Sequence, residues 1–268
     1  MSFFKTNDGI RIHYQWDGPF DGQVVLLLGG YSSNISTWLP QVEALNTAGY
    51  RTLRMDYRSH GNSDKTLQGL RIARLAMDVQ ELIKTVNVKK FHVVGHSMGA
   101  SVAEIYVSLF GNQKVISLTT EDQPPKLLNE GTWTTGLKES SMTQLASFTD
   151  RFPRIKLTKK HLTDEIKRNL SDYYTPFDFK LTRPLLLDGL VQDWRDVLPL
   201  EDRPHLFLSG DDSPLYPSDY PEAALKLQGD AKSIGYHFMG VGHVPHLESF
   251  DEFNKILLKF LRGINDIF

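Results

Sequence analysis

Apolar residues along this chain switch between two rhythms. Ile10-Arg11-Ile12-His13-Tyr14 alternates and predicts a strand, with a turn around Asp17-Gly18-Pro19. Val24–Leu28 is a continuous apolar run stopped by Gly29-Gly30, the pattern of a parallel strand covered on both faces. Trp38, Val42, Leu45 and Ala48 then recur at helical spacing until Gly49. Further on, Thr52–Asp56 predicts a strand, Ile72–Val86 a helix, Phe91–Gly95 a strand, Gly99–Phe110 a helix and Val115–Thr120 a strand. Strands alternating with helices imply βαβ units and a mostly parallel, doubly wound α/β sheet.

The rhythm breaks after Asp122. From Gln123 to about Asp196 the chain is richer in aromatic and charged residues and has no buried-strand run. Helices are expected there, over Lys159–Tyr173 and Arg183–Trp194 for example. The alternation then resumes, with strands at His205–Ser209 and Ser233–Met239 and helices at Tyr220–Leu227 and Phe250–Leu261. The expected organisation is an α/β core, residues 1–122 and 197–268, with a helical cap inserted at 123–196. Such lids often decide what enters an active site.

Composition narrows the chemistry. The 268 residues are 40% hydrophobic, enough for a sizeable core, and the formal net charge of -2 offers no basic footprint for nucleic acid. With no cysteine, disulfides and thiolate metal sites are excluded. The N-terminus lacks the apolar run of a signal peptide, and no run is long enough to span a bilayer. A cytoplasmic monomer or homodimer acting on a small molecule, with no cofactor and no metal, is the expectation.

One motif then carries the argument. Gly95-His96-Ser97-Met98-Gly99 joins a predicted strand to a predicted helix. On a turn this sharp, side chains flanking the serine would collide with backbone, which explains both glycines. Ser97 is left at the carboxyl end of the sheet, where open α/β sheets bind ligands. A serine needs a base. His243, in Gly242-His243-Val244-Pro245-His246-Leu247-Glu248 between the last strand and last helix, is the expected one; His246 is the other candidate. The backbone N–H groups of Met98 and Tyr31, the latter in Gly29-Gly30-Tyr31-Ser32-Ser33, are the expected oxyanion donors.

With these stretches and Asp56-Tyr57-Arg58-Ser59-His60-Gly61-Asn62-Ser63 in view, the chain resembles the α/β-hydrolase fold superfamily, small serine esterases in particular, over essentially its whole length. The last stretch is similar to an Asp-x-Arg-Gly-x-Gly-x-Ser loop, with Ser59 in place of Gly, and Gly29 stands where relatives carry a histidine. The resemblance implies a triad acid after the next-to-last strand, as Gly-x-x-Asp-Pro. Here that stretch reads Gly210-Asp211-Asp212-Ser213-Pro214, which puts Ser213 at the acid position. The acid is then either Asp122, after the strand that precedes the insertion, or one of Asp211 and Asp212; Glu121 is a weaker candidate because its side chain should face the other side.

The implied activity is ester hydrolysis through an acyl-enzyme. Trp133, Tyr173, Tyr174, Phe177, Phe179 and Trp194 are candidate linings of a substrate pocket. A cofactor-independent dioxygenase is an alternative on the same fold, although its Pro-Gly-Trp-like oxyanion loop is replaced by Gly29-Gly30-Tyr31. Carbon–carbon or thioester hydrolysis and perhydrolysis use the same triad. A non-catalytic ligand receptor has no need of a nucleophile–base pair.

Overall fold

A computed structural model describes residues 1–138, 142–230 and 232–265. In chain order the strands are β1 (Ser2–Lys5), β2 (Arg11–Asp17), β3 (Val24–Leu28), β4 (Arg51–Met55), β5 (Phe91–His96), β6 (Val115–Glu121), β7 (His205–Gly210) and β8 (Ile234–Phe238). They form one eight-stranded sheet in the order β1-β2-β4-β3-β5-β6-β7-β8. The β1–β2 and β2–β4 pairings are antiparallel and the rest parallel.

The continuous apolar runs are explained by two cores. Along β3, Leu26 and Leu28 enter one core while Val25 and Leu27 enter the other, on the opposite face. The first core is closed by α2 (Ile72–Thr85) and α3 (Met98–Phe110), through residues such as Leu75, Val79 and Val102. The second is closed by α1 (Leu39–Thr47) and, at the chain's end, α9 (Phe250–Asn265), through Val42, Leu45, Phe253 and Leu257.

Between β6 and β7 lie α4 (Leu145–Arg151), α5 (Asp164–Asp172) and α6 (Phe179–Leu190); α7 (Tyr220–Leu225) and α8 (Pro245–Glu248) follow β7 and β8. The helix expected from Lys159 begins only at Asp164, because Thr163 caps it and the Glu248 carboxylate accepts the N–H groups of Lys159 and Lys160, at 2.6 Å each. The helix expected at Arg183–Trp194 starts four residues earlier than Arg183, where Asp178 accepts from the N–H groups of Lys180 and Leu181. β1 was not expected: it is a short edge strand with one buried side chain, Phe4.

One buried group is out of place energetically. Glu104 on α3 is fully buried, and neither carboxylate oxygen has a hydrogen-bond partner among the described residues. Burial pushes its pKa well above the usual carboxylate value, with the neighbouring Glu201 carboxylate adding to the shift. A folded-state pKa above the unfolded one means stability that is full below about pH 4.5 and lost as pH rises toward the folded value. Glu104→Met is therefore expected to be more stable than the parent at pH 8, with a smaller difference at pH 5. Urea unfolding at the two pH values checks this; an equal difference at both would refute a buried titrating carboxyl.

Candidate active site

The elbow is built as the glycines require. Ser97 has φ 52° and ψ -122°, a region costly for a side-chain-bearing residue. A Cβ at Gly95 would lie 2.4 Å from the Gly99 carbonyl oxygen, and one at Gly99 would lie 2.2 Å from the Leu28 carbonyl oxygen. The strand end and helix start thus approach closely enough to hold the strain. Ser97 is the N-cap of α3, so Met98 is its first residue and the Met98 N–H lies outside the i→i−4 ladder. The loop after β3 lies against the same point, since a Cβ at Gly30 would be 3.3 Å from the Ser97 Cβ.

That loop is held from several sides. Ser33 Oγ donates to the Gly30 carbonyl at 2.8 Å and fills the space where a side chain at position 29 would begin, 2.3 Å from a built Cβ. Gly29 is therefore matched to Ser33. Asp56 accepts from the Ile35 N–H at 2.8 Å and the Asn62 N–H at 2.9 Å, and pairs with His13 at 2.7 Å. Ser59 has φ 64°, the left-handed backbone a glycine would take freely. Its hydroxyl compensates by donating to the Thr66 carbonyl at 2.8 Å and accepting from the Thr66 N–H at 3.0 Å. The Tyr31 hydroxyl is bonded to Thr182 Oγ1 of α6 at 2.7 Å, tying this loop to the inserted segment.

His243 and Asp122 meet. His243 Nδ1 is 2.6 Å from Asp122 Oδ2, and both side chains are buried. With Asp122 as the acceptor of this contact, the imidazole N–H is on Nδ1 and Nε2 keeps a lone pair. Ser213, at the position where relatives carry the acid, donates from Oγ to Asp122 Oδ2 at 2.6 Å, and the Gly210 N–H donates to Oδ1 at 2.9 Å. The serine thus supports a carboxylate that arrives from another strand. Asp212 is instead exposed and pairs with Lys159 at 3.5 Å, while Asp211 is engaged through its N–H to Phe238 on the neighbouring strand end, at 3.0 Å. Neither is bonded to His243.

Glu121 points elsewhere. It accepts from the N–H of His246 at 2.8 Å and from its Nδ1 at 2.9 Å, while Nε2 of His246 meets Thr37 Oγ1 at 2.9 Å and its ring stacks on Trp38. His246 is a structural histidine. His96 donates from Nε2 to the His243 carbonyl at 2.8 Å, and burial, with His243 and His246 nearby, pushes its pKa well down, so it is neutral. His96, Glu121 and His246 are the described residues close enough to share a metal ion, their ligand atoms lying within 4.8 Å of one another. Their bonds instead brace the loop that carries His243.

A narrow pocket of about 430 Å³, counted to its open mouth, adjoins Ser97. Its walls are mostly aliphatic: Leu127, Leu185, Leu186, Leu190 and Leu215, with Phe148 and Phe152. The aromatics expected to line it lie elsewhere. The Trp133 indole N–H donates to the Lys126 carbonyl at 3.0 Å, and the backbone N–H of Trp194 donates to the Pro125 carbonyl at 2.8 Å. Phe177 packs on Tyr31 and His60, and on Phe179. Tyr173 lines an outer groove against α1, and Tyr174 is exposed. Phe177 and Phe179 pack the segment between β6 and β7 onto Tyr31 of the core, while the pocket face of that segment includes residues of α4 and α6. Four residues around Ser97, Asp122 and His243 were not anticipated: Ser101, Gln123, Tyr216 and Glu248. Glu248 accepts from the Gly242 N–H at 3.0 Å and so fixes the start of the His243 loop.

The eight-stranded, mostly parallel sheet flanked by helices is the fold of an alpha/beta hydrolase. The chain belongs to the alpha/beta hydrolase family, whose model matches residues 24–256. A bifunctional esterase/perhydrolase of Acinetobacter calcoaceticus is 25% identical over 98% of this chain and 100% of its own length. Among solved structures, an esterase from Exiguobacterium antarcticum superposes with a TM-score of 0.86 at 21% identity, covering 97% of this chain and 99% of that one. A bromoperoxidase from Bacillus anthracis gives 0.83 at 24%, covering 97% and 99%. Among the described residues no helix is long and apolar enough to cross a membrane.

Proposed function

We propose that this chain is a serine carboxylesterase acting on small or medium acyl esters, with Ser97, His243 and Asp122 as its triad. The observation that carries the proposal is the buried 2.6 Å contact of Asp122 with His243 Nδ1, and a serine held on a strained elbow at the end of the neighbouring strand β5 supports it. In this reading His243 Nε2 takes the proton of Ser97 as it attacks the ester carbonyl and returns it to the leaving alcohol. The N–H groups of Tyr31 and Met98 receive the developing oxyanion, about 3 kcal/mol for each donor. Water, activated by the same histidine, then releases the acyl group. Residues 123–196 act as the cap, and Phe148 of α4 with the leucines of α6 gives the pocket an apolar wall for the acyl group.

The test is turnover of 4-nitrophenyl acetate and butyrate together with labelling by a fluorophosphonate. Both esters are expected to be hydrolysed and the label to map to Ser97; no turnover and no labelling would reject the reading. Perhydrolysis has its own support in the esterase/perhydrolase relative. There hydrogen peroxide replaces water on the acyl-enzyme, freeing Ser97 and releasing the peroxy acid, which a peracid assay would detect.

A further inference from the structure

We infer that the pocket beside Ser97 contains a built subsite, formed by Ser101, Gln123 and Tyr216, for a second oxygen acceptor on the substrate's acyl group. The inference rests on the esterase reading and names the substrate class of that site: acyl esters bearing a keto or ether oxygen, rather than plain alkanoyl esters.

The three residues line the pocket together and are joined to one another. Gln123 Nε2 donates to Ser101 Oγ at 3.0 Å, and the Tyr216 hydroxyl donates to Gln123 Oε1 at 2.7 Å. All three are buried. Counting protons decides what the cluster lacks. The amide carries two, and each hydroxyl carries one; two hydrogen bonds within the cluster use two of these four. Two protons are left without a partner among the described residues, and that balance holds whichever way the amide is turned. Burial and the Asp122 carboxylate both raise the Tyr216 pKa, so its hydroxyl stays a donor. Unmatched donors on side chains this buried are costly, and more so than unmatched acceptors. Around them the wall is Leu127, Leu215 and Phe148, which supply no acceptor side chain.

Position fits an acyl group. Ser101 lies four residues after Ser97, the N-cap of α3, and so about 6 Å further along the helix axis on the same side. Gln123 directly follows Asp122, and the Tyr216 ring lies 5.9 Å from the His243 ring. A substrate acylating Ser97 therefore carries its chain past donors set a few bonds from the scissile carbonyl. An oxygen at the fourth carbon is the simplest group to reach them.

The probe pair is 4-nitrophenyl pentanoate and 4-nitrophenyl 4-oxopentanoate, with the same leaving group and chain length. The parent protein is expected to favour the oxo ester in kcat/KM by about tenfold or more. In Gln123→Leu and in Gln123→Glu, whose carboxylate would face the keto oxygen, that ratio is expected to fall at least tenfold, whatever happens to either absolute rate. Tyr216→Phe, which removes one proton from the cluster, is expected to lower the ratio less. An unchanged ratio in all three variants overturns the subsite. Binding of ethyl pentanoate and ethyl 4-oxopentanoate to Ser97→Ala, by calorimetry, separates the two readings. Tighter binding of the oxo ester without turnover by the parent keeps the subsite and rejects the esterase; equal binding of the two esters rejects the subsite.

Discussion

Ser97→Ala is expected to lower kcat on 4-nitrophenyl butyrate by about 10⁶-fold, the order seen when a triad nucleophile is removed. What remains would come from oxyanion donors and substrate positioning, which Ala leaves in place. The same residue stores strain. With φ 52° and ψ -122°, it occupies a backbone region that costs a non-glycine residue about 1–3 kcal/mol. Alanine keeps that cost, whereas glycine relieves it. Ser97→Gly should therefore be as inactive as Ser97→Ala yet unfold at a higher urea concentration. Kinetics and urea midpoints on the pair test both halves. An active Ser97→Ala would remove the nucleophile from the proposal; equal midpoints would show that the elbow is not strained.

Much of this was legible in the chain because elbow, sheet and histidine loop are local in sequence. Val24–Leu28 reads directly as a strand since both its faces are covered, and Gly95 and Gly99 read directly as contacts too close for a Cβ. The choice of His243 over His246 rested on a preceding glycine; in the structure His243 meets Asp122 while His246 is enclosed by Glu121, Thr37 and Trp38. The pocket was harder. Large aromatics in a polar stretch suggest a binding surface, but Phe177 and Trp133 are packing residues. Leu185, Leu186 and Leu190, which form the wall, cannot be told in sequence from ordinary core leucines. Nor could spacing bring Ser101, Gln123 and Tyr216 together, because the first lies within α3 and the others follow β6 and β7.

The departures from the family pattern also have local reasons. Gly29 leaves room for Ser33, whose hydroxyl ties down the loop after β3. Ser213 replaces a carboxylate yet still serves it, by donating to Asp122 across the gap between two strand ends. Each substitution is thus one half of a pair, and only the fold reveals the partner.

That pairing makes Asp122→Asn severe. The carboxylate accepts three donors at once: His243 Nδ1, the Ser213 hydroxyl and the Gly210 N–H. An amide has a single acceptor oxygen. If that oxygen faces His243 and Ser213, the NH₂ group opposes the Gly210 N–H. If the amide is turned, the NH₂ donates to Nδ1, the imidazole proton moves to Nε2, and the lone pair needed to deprotonate Ser97 is lost. A loss of about 10⁴-fold in kcat is expected, in line with the same exchange at other triad acids. Stability should fall by about 1–3 kcal/mol for the donors left unpaired. Ser213→Ala removes one donor and leaves the carboxylate its other two, so its effect should be far smaller, while Asp212→Asn, exposed and paired with Lys159, should keep parental kinetics. Measured side by side on 4-nitrophenyl butyrate, full activity in Asp122→Asn with loss in Asp212→Asn would reverse the assignment of the acid.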